Sequence, residues 1–176
     1  MDNFERMIRT MTDKIQKEIP FSNSPKLHNE IGNIKTDKKE LAKAAFRNAD
    51  EFYIGAGLIF KESLQLIQVV SVNLAFACEL YLKAILYELN IDFGKTHRIS
   101  DLYKLLPIQY QEKVRENVHF QYRQENHFEL VLEEISDAFV FLRYAHERKI
   151  IVSDWDGLNS ISTAVMKVTK EIIKDT

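Results

Sequence analysis

Cysteine occurs once in this 176-residue chain, proline three times and glycine five times, and 24 basic residues are set against 26 acidic ones. Each scarcity excludes something. A single thiol, Cys78, cannot close an intrachain disulfide, and its place inside an apolar run reads as a buried structural cysteine. Paired-cysteine and His-x3-His spacings are missing and the five histidines are scattered, so neither a metal site nor a cofactor is expected. Few helix breakers, together with little strand alternation, favour an all-helical chain. A net charge of -2 removes the nonspecific phosphate affinity that a basic excess would supply. The longest apolar span, residues 64–89, carries Glu79 and Lys83 near its middle, which a lipid-facing segment tolerates poorly. The first twenty residues alternate charged and apolar side chains without the continuous apolar run of a signal peptide. A soluble, cytoplasmic protein with no membrane association is the expectation.

What is present suits one domain with a sizeable core, since 45% of residues are hydrophobic and 28% charged. Phe4, Ile8, Met11 and Ile15 share one side of an N-terminal amphipathic helix, and "IPFSNSPKLHNEIGN" follows as a connector. Residues 1–35 are therefore expected to form an arm and connector, and 36–176 the helical body. In the body, Thr36 is placed to cap a helix starting at Asp37, with Leu41, Ala44, Ala45, Ala49, Phe52 and Ala56 on its contact stripe. The apolar span 64–89 reads as the central helix, broken by residues 90–95 with Gly94 as the turn residue. "ISDLYKLLP" and "IQYQEKVRENV" read as two short helices. A long helix is expected over 128–148, and a last one over 158–174 after a turn in which Asp156 caps and Trp155 anchors.

At 100° per residue, Gln65, Gln68, Val72, Phe76, Glu79, Lys83, Tyr87 and Asn90 fall on one narrow side of the central helix. Two readings stay open for this seam. As a solvated strip, the Glu79–Lys83 pair contributes only about 0.3–0.5 kcal/mol. As the edge of a groove or subunit boundary, its charges orient a partner.

"NLAFACELYLKAILYELNIDFGKTHRISDLYKLLP" (residues 73–107) followed by "AFVFLRYAHE" (138–147) resembles the HEPN family, the helical domains named for higher eukaryotes and prokaryotes nucleotide-binding. The shared features are Asn73-x3-Ala77-x-Glu79-x3-Lys83, the Thr96-His97-x-Ile99 segment ending in Leu106-Pro107, and Leu142-Arg143-Tyr144-x-x-Glu147. The resemblance implies an all-α, mainly antiparallel bundle, usually homodimeric, here with an added N-terminal helical arm. It implies an RNA- or nucleotide-linked role in a prokaryotic toxin–antitoxin or antiphage system, with an antitoxin or nucleotidyltransferase as partner. Asn73, Glu79, Lys83, His97, Tyr144 and Glu147 are its candidate binding residues. Active members are metal-independent endoribonucleases, with an arginine followed after four to six residues by a histidine.

The candidate catalytic pair here is Arg143 and His146, with two residues between them and one helix face shared if the segment is helical. Imidazole moves a proton at the ribose 2'-hydroxyl or at the leaving oxygen, and guanidinium steadies phosphate charge. The rival is an Arg143–Glu147 ion pair beside a structural His146. Arg115/His119 and Arg123/His127, each with three residues between, lie in a less matching region. His97 fits a role in helix-start chemistry, with Thr96 or Ser100 capping the short helix. "GKT" at 94–96 ends like a phosphate-binding loop, but Leu89 stands where the earlier glycine belongs. No strand-to-helix turn offers a serine nucleophile for a triad. "HFQYRQENHF" interleaves aromatic and basic side chains, a format for stacking on unpaired bases and, as the favoured reading, for an interhelical turn.

Overall fold

The computed structural model describes residues 37–119, 127–137 and 155–174, and every regular element within them is helical. The expected all-α bundle is what the chain forms. The expected N-terminal arm lies outside the described residues.

Helix α1 (Lys38–Glu62) starts one residue later than the pattern suggests, because Asp37 is the N-cap: its carboxylate accepts from the Lys39 N–H at 3.0 Å. Its buried stripe is Ala42, Ala49 and Ala56, seven apart and so on one face, with Leu41 only partly buried and Phe52 exposed. Ser63 ends it, and a 3-10 turn (Leu64–Leu66) leads into α2 (Ile67–Glu88). Contacts Lys39–Glu88, Phe46–Tyr81 and Phe52–Phe76 run in opposite numerical order, so the two helices are antiparallel. The alanines of both helices are what allow this close approach.

Helix α2 is buried on most sides, with Leu74, Ala77, Cys78, Tyr81, Leu82 and Ile85 all inside the core. The span from Leu64 to Glu88 is long and apolar enough to cross a membrane, yet most of it is covered by protein. It stops at Asn90, not at a glycine. Asn90 takes a left-handed φ of 57°, Ile91 N–H reaches the Leu86 carbonyl at 2.8 Å, and Asn90 N–H reaches that of Tyr87 at 3.0 Å. This double bond satisfies the carbonyls the helix leaves free, and asparagine tolerates the conformation better than most residues. Gly94, at φ 59°, makes the second left-handed step in the loop that follows.

Three short helices come next: α3 (Ile99–Lys104), α4 (Ile108–Asn117) and α5 (His127–Glu134). Neither Thr96 nor Ser100 caps α3 with its side chain. Its free N–H groups are taken from a distance, Ile99 by the Ser136 carbonyl at 3.0 Å and Ser100 by Ser136 Oγ at 3.1 Å. To place Ser136 there, the chain turns at residues 135–137, so the helix that begins at His127 ends at Glu134, and residues 138–148 of the expected long helix lie outside the described residues. Arg98 secures the same junction through Glu133 and Asp137, and the Glu133 carboxyl is held below its usual range by Ser100 and Arg98.

The last helix, α6 (Trp155–Lys174), begins before the expected cap, leaving Asp156 in its first turn. Trp155 stacks on Phe60 with ring centroids 5.2 Å apart, anchoring that end against α1. Leu158, Ile161, Val165 and Val168 of its expected apolar face are buried and Ile172 is partly so.

Candidate functional site

The seam on α2 divides into two stretches. Gln65 and Gln68 are exposed, whereas Glu79 is 1% exposed and lies under the loop between α2 and α3. A solvated strip therefore does not describe Glu79. The left-handed residues Asn90 and Gly94 turn the chain back over α2, Asp92 Oδ1 accepts from the Gly94 N–H at 3.1 Å, and Thr96 Oγ1 accepts from the Arg98 N–H at 3.2 Å. Those bonds, with the Ser136 anchor beyond, set His97 above Glu79.

Three side chains meet there. Glu79 Oε1 lies 2.8 Å from Lys83 Nζ and 2.8 Å from His97 Nδ1. Lys83 Nζ is also 3.4 Å from His97 Nδ1 and sits 5.5 Å from the centre of the Phe93 ring, a cation–π contact. Phe93 in turn meets Tyr87 edge-on at 5.0 Å. An ammonium only donates and a carboxylate only accepts, so the imidazole cannot satisfy both neighbours with one Nδ1. The shorter contact, to the carboxylate, requires a proton on Nδ1 (an assignment from the hydrogen-bond geometry). Nε2, on the far side of the ring, then keeps its lone pair in the neutral imidazole, on a side chain that is 60% exposed. Glu79 Oε2 is buried without a hydrogen-bond partner. Lys95, two residues before His97, is exposed and has no ion-pair partner among the described residues.

Asn73 is not part of this cluster. It is half-buried on α2, six residues and about 9 Å along the axis from Glu79. Arg143, Tyr144, His146 and Glu147 lie outside the described residues. Arg115 is occupied elsewhere: Nε donates to the Tyr103 hydroxyl at 3.1 Å, the guanidinium pairs with Glu129 and lies over Phe128 at 4.8 Å. His119 is held by its backbone, which exchanges two 2.9 Å bonds with Ser160 Oγ. Arg123 is outside the described residues, and His127 has a partner. Among the described residues no group of three or more His, Cys, Asp or Glu side chains is arranged to hold a metal ion.

Beneath the site, Cys78 is fully buried. Burial pushes its thiol up to about 12, outweighing a lowering contact from Ser162, and the Glu79 charge adds to the rise. At pH 8 the thiolate fraction is then about 10⁻⁴. A disulfide-exchange reagent such as DTNB is expected to leave the native protein untouched over hours and to titrate one thiol after denaturation. Fast reaction in the folded state would show that α2 opens.

A hollow of about 230 Å³ lies elsewhere, between α1, α2 and α6, and is lined by Tyr53, Gly57, Phe60, Trp155 and Asn159 among others. It shares no residue with the Glu79 cluster. The cluster, with charged groups converging from separate stretches of sequence, is the stronger candidate. The family model described as "HEPN domain" matches residues 42–174. No curated protein and no solved structure matches the chain.

Proposed function

The chain belongs to the HEPN domain family, and on that premise we propose that it acts on RNA in a prokaryotic toxin–antitoxin or antiphage system, as a metal-independent endoribonuclease. Arg143 and His146 are its proposed phosphodiester-directed pair, with Tyr144 and Glu147 beside them. The proposed assembly is a cytoplasmic homodimer whose groove receives single-stranded RNA, with an antitoxin or nucleotidyltransferase as partner. The observation that carries the reading is the convergence of Glu79, Lys83 and His97 in one cluster with an exposed imidazole. Such a cluster is more than a bundle needs for packing. Exposed Ile54, Leu58, Leu64, Leu66 and Val69 at the α1–α2 turn support a self-association surface.

The spacing of Arg143 and His146, two residues where active members have four to six, favours a second reading: a bundle without chemistry that binds a nucleotide or a protein. One experiment separates them. Purified protein is expected to cleave single-stranded RNA in the presence of EDTA, and His146→Ala to lower the rate by about 10²–10⁴-fold. If varied RNAs survive intact, the binding reading takes its place. Equal rates for wild type and His146→Ala would remove that histidine from the mechanism.

A further inference from the structure

We infer that His97 is a proton acceptor in its own right, held by Glu79 as the Nδ1–H tautomer, and that the group it deprotonates is a ribose 2'-hydroxyl of bound RNA. The inference rests on the endoribonuclease reading for its substrate and on the geometry of the α2–α3 loop for everything else.

A histidine with a structural role in a loop has no need of a buried carboxylate. Here the carboxylate is on the most enclosed helix of the bundle, and taking it out of water is costly unless its partners are fixed. Lys83 supplies the balancing charge from the same helix, so the pair leaves the imidazole in contact with a nearly neutral unit. Glu79 and Lys83 are the titratable groups that touch the ring from α2. Along its own segment, Asp92 is engaged by the Gly94 N–H, Asp101 accepts from Thr96 Oγ1 at 3.3 Å, and the Arg98 guanidinium is held by Glu133 and Asp137. The Nδ1 side of the ring is thus fixed, and the Nε2 side is open. A carboxylate that accepts from Nδ1–H and so fixes the ring and its tautomer is an arrangement on which histidine bases depend.

The neighbours suit RNA. Phe93 and Tyr87 offer a half-buried aromatic surface on which a base can stack, and the exposed Lys95 supplies a cation for a phosphate. In the step, the 2'-hydroxyl proton passes to His97 Nε2 and the 2'-oxygen bonds to the adjacent phosphorus. The bond from phosphorus to the 5'-oxygen breaks, and that oxygen takes a proton from water, whose hydroxide is neutralised by the proton held on His97, leaving a 2',3'-cyclic phosphate and a 5'-hydroxyl. No oxidant, reductant or metal enters the balance. Glu79 is a positioning residue, since it reaches the substrate only through His97.

The test combines two readouts on the full chain. Cleavage of a single-stranded RNA in EDTA is measured for wild type, His97→Ala, Glu79→Gln and His146→Ala. The tautomer of His97 is read from its ¹⁵N shifts by NMR in wild type and Glu79→Gln. Expected are a locked Nδ1–H tautomer in wild type, a mixture in Glu79→Gln, a loss of about 10²–10⁴-fold for His97→Ala, and a loss for Glu79→Gln that falls mainly in kcat. His97→Ala removes one partner of the buried Glu79 carboxylate, so helicity by circular dichroism checks that variant and Glu79→Gln alike. An active wild type whose rate His97→Ala leaves unchanged overturns the inference while the endoribonuclease reading stands. A wild type that cleaves nothing overturns that reading and the substrate assigned here. The tautomer then judges the dyad alone, and a mixed tautomer in wild type overturns it.

Discussion

Tyr81→Ala is expected to cost about 3–5 kcal/mol of stability, the range for emptying a large aromatic site in a core. Tyr81 is fully buried, with Phe46 and Tyr53 at ring distances of 6.0 and 6.3 Å, and its hydroxyl donates to Asp50 Oδ1 at 2.5 Å. Burial, then the Asp50 hydrogen bond and charge, push the phenol far above its usual range, so it stays a donor at any working pH. Tyr81→Phe keeps the ring and removes the donor, and Lys170, 3.6 Å from Asp50, still balances that carboxylate. About 1–3 kcal/mol is expected for it. Urea unfolding at constant m-value measures both. Equal losses in the two variants would mean that the hydroxyl, and not the ring, holds α1 to α2. The comparison bears on the site as well. Tyr81 lies two residues from Glu79, about 200° around α2, so it fixes the helix from the side opposite the cluster.

Much of this fold is legible in helical periodicity. The alanine-rich α1, the apolar α2 and the last helix can be found from spacing, because each buries one continuous face or, for α2, nearly all of its surface. What spacing misses has long-range causes. The turn at 135–137 exists because Ser136 must supply hydrogen bonds to Ile99 and Ser100, thirty-six residues back from Ser136 to Ser100, and no local pattern records that demand. Asp37 takes the cap because its carboxylate reaches the Lys39 N–H, a choice of one residue that Thr36 beside it obscures.

The candidate site is half legible. Glu79 and Lys83 stand out as charges on an apolar helix, and their order at four residues marks them as a pair. A helical wheel, however, shows only the helix itself. It cannot show that a loop carrying His97, eighteen residues on from Glu79, folds over the pair, so Glu79 looks like an edge when it is covered. The signal for that cover is the two residues able to hold left-handed backbone, Asn90 and Gly94, four apart between Glu79 and His97. Arg115 makes the opposite point. Its spacing to His119 invites a phosphate role, yet Tyr103, Glu129 and Phe128, from two other helices, already satisfy it.

Removing the buried carboxylate decides between the two readings of the seam. Glu79→Ala is expected to cost about 3 kcal/mol, the low end for breaking a buried pair, because the Lys83 side chain keeps 15% of its exposure. The cost arises mainly from what is left behind: an ammonium against Phe93 with no carboxylate, and a His97 ring with no acceptor. Lys83→Met alone leaves Glu79 charged and buried, with His97 its one remaining partner. The double variant relieves both problems, since neither stranded charge persists. A double-mutant cycle is therefore expected to give a coupling above about 1 kcal/mol, compared with about 0.3–0.5 kcal/mol for an exposed pair at the same spacing. A coupling within the exposed range would return Glu79 to the solvated strip and take the oriented imidazole with it, since a mobile, hydrated carboxylate could not hold His97 in one tautomer.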